Sequence, residues 1–285
     1  MSIREKVLAA IPEIPTLPTS ATQVLRLVRD PDAGIGEIME AIEYDPTLTA
    51  EILRLANTAY FAGPRKIATL RDAGVLLGSQ RILQLVMASS VLPITRQPLR
   101  GYDLPGGQLA RQSMSMAIGA ELLAGLAGRR PPNHTFTSGL LADIGKIVLG
   151  SFLEIDARPV LELAFDGGLS FEEAERAVLG IDHAEVGAAL LEAWNVPDEV
   201  IQVVRWHHDP NRLEGDPFAG DLVHVASLLC ASCGIGAGVD GLNYRPCSEA
   251  LDRLGATREL LEHATCLMLV ALDEIKHELP GFDGD

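Results

Sequence analysis

The stretch Asp45-Pro46-Thr47-Leu48-Thr49-Ala50-Glu51-Ile52-Leu53-Arg54-Leu55-Ala56 decides the fold class. Its carboxylate stands one residue before a proline. That pair marks a helix start: an aspartate oxygen can accept an orphan N–H of the first turn, and proline there forfeits no hydrogen bond. Leu48, Ile52 and Leu55 then recur at helical spacing and make one apolar stripe. The same period returns along the chain in Val24, Leu25 and Val28, in Ile82, Leu85 and Val86, in Val186, Leu190 and Trp194, in Val200, Val203 and Val204, and in Leu222, Val225 and Leu229. Ser170 with Glu173 reads as a capping box, and Asp182 with Glu185 as a looser form of it. No alternating stretch bounded by turns reads as a strand. The pattern predicts an all-α protein.

Its 285 residues leave room for one large domain or two modest ones. Aromatic residues make up only 5%, and the abundant Leu and Ala favour helices. Pro93, Pro98, Gly101, Pro105, Gly106 and Gly107 interrupt the periodicity. They predict an N-terminal helical subdomain over 1–96, a linker over 97–107 and a second helical subdomain over 108–285. With 39 acidic against 23 basic residues, the net charge of −16 opposes phosphate backbones and anionic lipid. Neither nucleic acid nor membrane is expected as a partner. The first residues carry no export signal, and apolar stretches such as 264–272 are too short to span a bilayer. A cytoplasmic protein with four reduced cysteines is the expectation.

Two motifs invite chemistry and lose it on inspection. Cys230 and Cys233 form a C-x-x-C with Cys247 further on, but a fourth ligand is missing and the stretch is apolar and helical, so small core residues are the simpler reading. Gly234-Ile235-Gly236-Ala237-Gly238 lacks the preceding strand that a dinucleotide cradle requires, and reads as a connector within a loop over 234–246. Histidine offers more. Asp143 precedes His183, His207 and His208, and imidazole and carboxylate are the usual ligands of catalytic divalent metals.

Thr137-Ser138-Gly139-Leu140-Leu141-Ala142-Asp143-Ile144-Gly145-Lys146 resembles the core helix of the HD phosphohydrolase superfamily, where the pair before Ile-Gly-Lys is His-Asp. The segment around Gln112 resembles an earlier helix that carries a His in catalytic members. Asp182-His183 and Trp206-His207-His208 resemble the next ligand-bearing stretches, and Ser227 falls where a last Asp is usual. Ile14-Pro15-Thr16-Leu17-Pro18, the Asp45–Ala59 stretch, and Leu77-Gly78 with Arg81 are similar to HDOD domains, the HD-related output domains of bacterial signalling proteins. The resemblance spans roughly Pro12 to Val270. It implies two helical subdomains, the second an HD-like bundle, and a role in signal transduction without demonstrated catalysis.

Ala142 offers no lone pair, Gln112 only a neutral amide oxygen, and Ser227 is a poor ligand for a transition metal. The expectation is therefore no catalytic residue, no cofactor and no bound metal, with Asp143, His183, His207 and His208 as candidates for a vestigial pocket. Asp143 and Lys146, three apart, are expected to pair. His207 and His208 project about 100° apart if they continue a helix, so at most one is expected to face Asp143. Asn57, near a helix end, is read as structural, and Tyr60 and Phe61 as packing between subdomains or as an exposed patch. The expected function is a non-catalytic output or adaptor module that contacts another signalling protein. No receiver, GGDEF or EAL segment is recognisable, so the input is expected from a separate polypeptide or a ligand. The alternatives are a metal-dependent phosphohydrolase with a non-standard site, and a module that senses a small nucleotide in the old pocket.

Overall fold

The computed structural model describes residues 1–61, 66–241 and 243–278. Those residues form helices and turns with no strand among them, beyond one isolated bridge between Leu99 and Leu104. The chain runs through α1 (Ile3–Ala10), α2 (Thr19–Arg29), α3 (Ile35–Glu43), α4 (Pro46–Ala56) and α5 (Leu70–Thr95). It continues with α6 (Gln108–Leu126), α7 (Thr135–Leu141), α8 (Lys146–Ile155), α9 (Arg158–Leu161) and α10 (Phe171–Leu179). It closes with α11 (His183–Ala193), α12 (Asp198–Trp206), α13 (Phe218–Ser232), α14 (Ser248–Leu254) and α15 (Arg258–Glu278). The periodic residues of the sequence are buried throughout, Val28 only partly. Helix starts follow their chemistry too. Asp45 accepts from Leu48 N–H at 3.0 Å, Ser170 and Glu173 form a capping box, and Asp182 accepts from Glu185 N–H at 2.7 Å.

Helices α2 to α5 make one bundle. The second is built around α6, which packs against α7, α13 and α15. Pro93 does not end α5, which runs on to Thr95 and breaks instead at Gly78, where φ is 74°. The division of the chain differs from the sequence reading at two places. Helix α1 packs against α8 and α11 of the second bundle, tied by Arg4 to Glu185 at 2.7 Å. Residues 97–107 are no free linker, since Tyr102 is wholly buried among them. Residues 279–285 of the expected second subdomain, and Leu242 of the 234–246 loop, lie outside the described residues. Two apolar runs, Leu70–Thr95 and Thr135–Ile155, are longer than the sequence reading allowed and could span a bilayer by length and hydropathy. Their most apolar windows are 56% and 83% buried against protein, as core helices are.

Asn57 is the staple between α4 and α5. Its Nδ2 donates to Leu53 O at 2.7 Å and Ile67 O at 2.8 Å, and its Oδ1 accepts from Ile67 N–H at 2.9 Å. Next to it, Tyr60 stacks on Phe136 of α7 at 6.3 Å and bonds Glu121 of α6. Glu121 also accepts from Arg81 at 2.7 Å and Gln84 at 2.8 Å. Tyr60 and Phe61 thus join the two bundles. Asn57→Ala removes all three bonds and leaves partly buried backbone groups of Ile67 unpaired, so it is expected to cost about 1–3 kcal/mol, read as a lowered urea midpoint.

Candidate metal centre

Each of the four His/Asp residues reaches the centre from the end of an element. Asp143 sits in the turn that joins α7 to α8, and His183 opens α11. The 100° separation expected of His207 and His208 supposes that they continue a helix. Helix α12 ends at Trp206, and the two histidines fall in the turn behind it. His207 keeps helical φ and ψ of −64° and −18°, yet the two rings lie 3.9 Å apart. The expectation that at most one would face Asp143 is therefore corrected. One ligand atom from each of Asp143, His183, His207 and His208 lies within 4.8 Å of every other.

A close helix contact sets this distance. A Cβ added at Gly145 would stand 1.9 Å from His183 O and 2.5 Å from Gly187 N. Gly145 has a φ of −65°, which any residue adopts, so glycine is required here for space alone. The Asp-Ile-Gly-Lys turn can press on the first turn of α11 only because neither Gly145 nor Gly187 has a side chain.

Partners beyond the four residues hold the geometry. Glu175 Oε2 accepts from His183 N–H at 2.9 Å and contacts its Nδ1 at 2.7 Å, while Glu175 Oε1 accepts from Tyr102 OH at 2.5 Å. Carboxylates behind metal-binding imidazoles commonly fix the ring in this way. Lys146 is fully buried and donates to Asp240 at 2.7 Å while standing 3.3 Å from Asp143 Oδ1. Asp240 also accepts from Tyr244 OH at 2.6 Å and from the Gly238 and Gly241 N–H groups, each at 3.2 Å. The His208 ring stacks on Tyr244 at 4.7 Å. The expected Asp143–Lys146 pair is thus one half of an Asp143–Lys146–Asp240 bridge.

The positions that catalytic relatives use are filled differently. Gln112 Nε2 donates to Asp143 Oδ2 at 2.8 Å, so it caps the carboxylate oxygen away from the histidines. Ala142 and Ser227 are buried and bring no donor to the cluster. The glycine loop is a wall of the site. Gly236 lies against the Gln112 side chain and Gly238 against Tyr102 O, so closely that a Cβ at either would overlap them. Cys230 is core, 4.0 Å from the Met268 sulfur.

The charges divide sharply. Burial alone would raise the Asp143 carboxyl, but Lys146 and His183 hold it far below the usual carboxylate range. Burial opposes charge on His183 too, yet Glu175 and Asp143 raise it to about 10. Burial lowers His207 to about 4, and burial with the neighbouring imidazoles keeps His208 neutral. The 2.8 Å contact between His183 Nε2 and His208 Nε2 then has His183 donating. Two of the cluster's own ligand atoms, Asp143 Oδ1 and His207 Nε2, are buried without a hydrogen-bond partner. A divalent transition ion suits such a set of three imidazoles and one carboxylate. It would take those two lone pairs and displace the His183 Nε2 proton.

Glu175, Asp240, Tyr102 and Tyr244 are absent from the sequence reading. Each lies at a distance along the chain that no local spacing links to Asp143. The one available signal is a pair of acids, Glu172 and Glu175, on the buried face of α10.

A family model for the HDOD domain matches residues 14–210. A curated protein of Treponema pallidum (strain Nichols), itself uncharacterised, is 27% identical over 205 residues, 70% of this chain and 38% of that protein. The chain therefore spans well under half the length of that relative. Among solved structures, an HDOD domain protein of unknown function from Geobacter sulfurreducens superposes with a TM-score of 0.71 at 21% identity, over 97% of this chain and 99% of its own. A protein of Shewanella amazonensis SB2B, described as a proposed phosphohydrolase, superposes with a TM-score of 0.69 at 25% identity, over 96% and 97% of the two chains. One from Marinobacter aquaeolei VT8, described as a proposed signal transduction protein, gives 0.71 at 24% identity over 97% of this chain and 60% of its own.

Proposed function

The chain belongs to the HDOD domain family, and on that premise we propose that it is a cytoplasmic regulatory module of signal transduction. It acts through contacts with another signalling protein, and its His–Asp centre holds one divalent transition ion without turning over substrate. One observation carries the reading: the Asp143 carboxylate is enclosed. Gln112 occupies Oδ2, Lys146 stands beside Oδ1, and the histidines take the remaining side. A hydrolytic centre needs an open position for water and substrate. Here Lys146, with its charge already balanced by Asp143 and Asp240, fills the space beside the carboxylate. Asp143, His183, His207 and His208 would hold the ion, Glu175 would orient His183, and Lys146 would keep Asp143 ionised. An ion so held would fix the α7–α8 turn, the start of α11 and the end of α12 to one another. Unpaired thiols at all four cysteines support a reducing compartment.

A second reading, a phosphohydrolase with a non-standard site, is favoured by the four convergent donors. Such an ion would supply an activated water. The test is elemental analysis of protein purified without chelator, with a hydrolysis screen over nucleotides and cyclic dinucleotides. About one transition-metal equivalent per chain and no turnover above a His207→Ala control is expected. Turnover that vanishes in that variant would replace the module with the enzyme, and protein free of metal would remove the ion from the reading.

A further inference from the structure

A cleft runs between the two bundles with α2 along one wall and the α11–α12 turn along the other. Two cavities meet in it, of about 670 and 250 Å³, and they share Thr19, Thr22 and Asn195. The larger also presents Gln23, Arg26 and Arg29. Not one acidic residue lines either cavity, in a chain that carries 39 acidic against 23 basic residues. Thr19, Thr22, Arg26 and Arg29 recur every three to four residues, so α2 sets them in a row on one face. Their Cα atoms, those of Arg26 and Arg29, are about 4.5 Å apart along the helix axis, and neither guanidinium is engaged in an ion pair among the described residues. Asn195 faces them from a left-handed turn with a φ of 56°. An adjoining cavity shares Leu25 and Arg29 and has one carboxylate, Glu199.

We propose that this cleft binds a small phosphate-bearing anion through its diphosphate or equivalent group. Arg26 and Arg29 supply the charge-assisted bonds, which are the strong ones for phosphate. The Thr19 hydroxyl and the Gln23 and Asn195 amides supply neutral donors, while the Thr22 hydroxyl donates to Pro18 O at 3.3 Å. Trp194, the aromatic residue of the smaller cavity, is 5% exposed and offers no stacking face, so the phosphates rather than a base are what the cleft recognises. The bound anion braces α2 against the turn between α11, which begins with His183, and α12, which ends just before His207. The site is separate from the His–Asp centre and stands whether or not that centre holds an ion.

The experiment is isothermal titration of the whole chain with inorganic pyrophosphate at about 0.15 M ionic strength, where long-range attraction is screened, with and without EDTA. Saturable binding to one site is expected in both buffers. Arg26→Gln and Arg29→Gln are each expected to weaken it at least tenfold, while Arg71→Gln, an exposed arginine on α5, leaves it unchanged. The substituted side chains are exposed, and unchanged thermal midpoints would exclude misfolding. The proposal is overturned by absence of saturable binding, by binding that EDTA abolishes, by binding that both cleft variants retain, or by equal loss in Arg71→Gln.

Discussion

Gly145→Ala is expected to lower stability by about 3 kcal/mol and to disassemble the His–Asp centre, whereas Gly150→Ala within α8 is expected to be neutral or mildly stabilising. The two positions differ in what a methyl group would meet. At Gly145 it would stand 1.9 Å from His183 O and 2.5 Å from Gly187 N, both backbone atoms that cannot rotate away. At Gly150 its nearest neighbours are the Tyr102 ring at 3.7 Å and the Leu99 side chain at 3.8 Å, ordinary contacts. There the only change is the helical advantage of alanine over glycine, roughly 0.5–1 kcal/mol. To admit a Cβ at 145, α11 must withdraw from the α7–α8 turn, and His183 leaves Asp143 with it. Urea unfolding gives the stability of both variants, and metal content per chain reports the centre. Equal midpoints for the two variants would show that the close approach of Gly145 does not hold the site together.

That contact also marks where the sequence stops being legible. Helices could be read because each carries its own evidence: a cap at Asp45 or Ser170, and a stripe such as Leu48, Ile52 and Leu55. The fold follows from local periodicity, and the structure keeps nearly every helix so read. The centre is assembled from ends and turns, where periodicity gives no guidance. A 100° step between adjacent side chains does not keep His207 and His208 from one centre, because both long imidazole side chains lie at the turn behind α12 and reach it. Gln112 is an empty ligand position by residue type, yet its amide N–H does what a histidine lone pair cannot and caps Asp143 Oδ2. Glu175, Asp240 and Tyr244 were invisible because their relation to Asp143 exists only in three dimensions. The glycines of 234–238 looked like slack in the chain, and their missing side chains instead let the loop close on Gln112 and Tyr102.

Lys146→Met is expected to cost about 3–5 kcal/mol, the range for breaking a buried charge pair from one side. Lys146 has no exposed surface and stands 2.7 Å from Asp240 and 3.3 Å from Asp143. Methionine matches its length and apolar stem but leaves two buried carboxylates without their shared cation. The carboxylates are not equally exposed to that loss. Asp143 still has Gln112 and the protonated His183, while Asp240 retains only neutral donors, Tyr244 and two backbone N–H groups. Adding Asp240→Asn removes the charge that is worse served. Lys146→Met/Asp240→Asn is therefore expected to be more stable than Lys146→Met alone, a non-additivity that distant, independent sites do not show. Salt should not rescue the single variant, because the pair is sealed from solvent and poorly screened. Unfolding midpoints of the two single variants and the double variant decide the matter. If Lys146→Met costs under about 1 kcal/mol, or if the two substitutions simply add, the lysine does not neutralise the core of this site. The enclosure of Asp143 on which the non-hydrolytic reading rests would then lose its support.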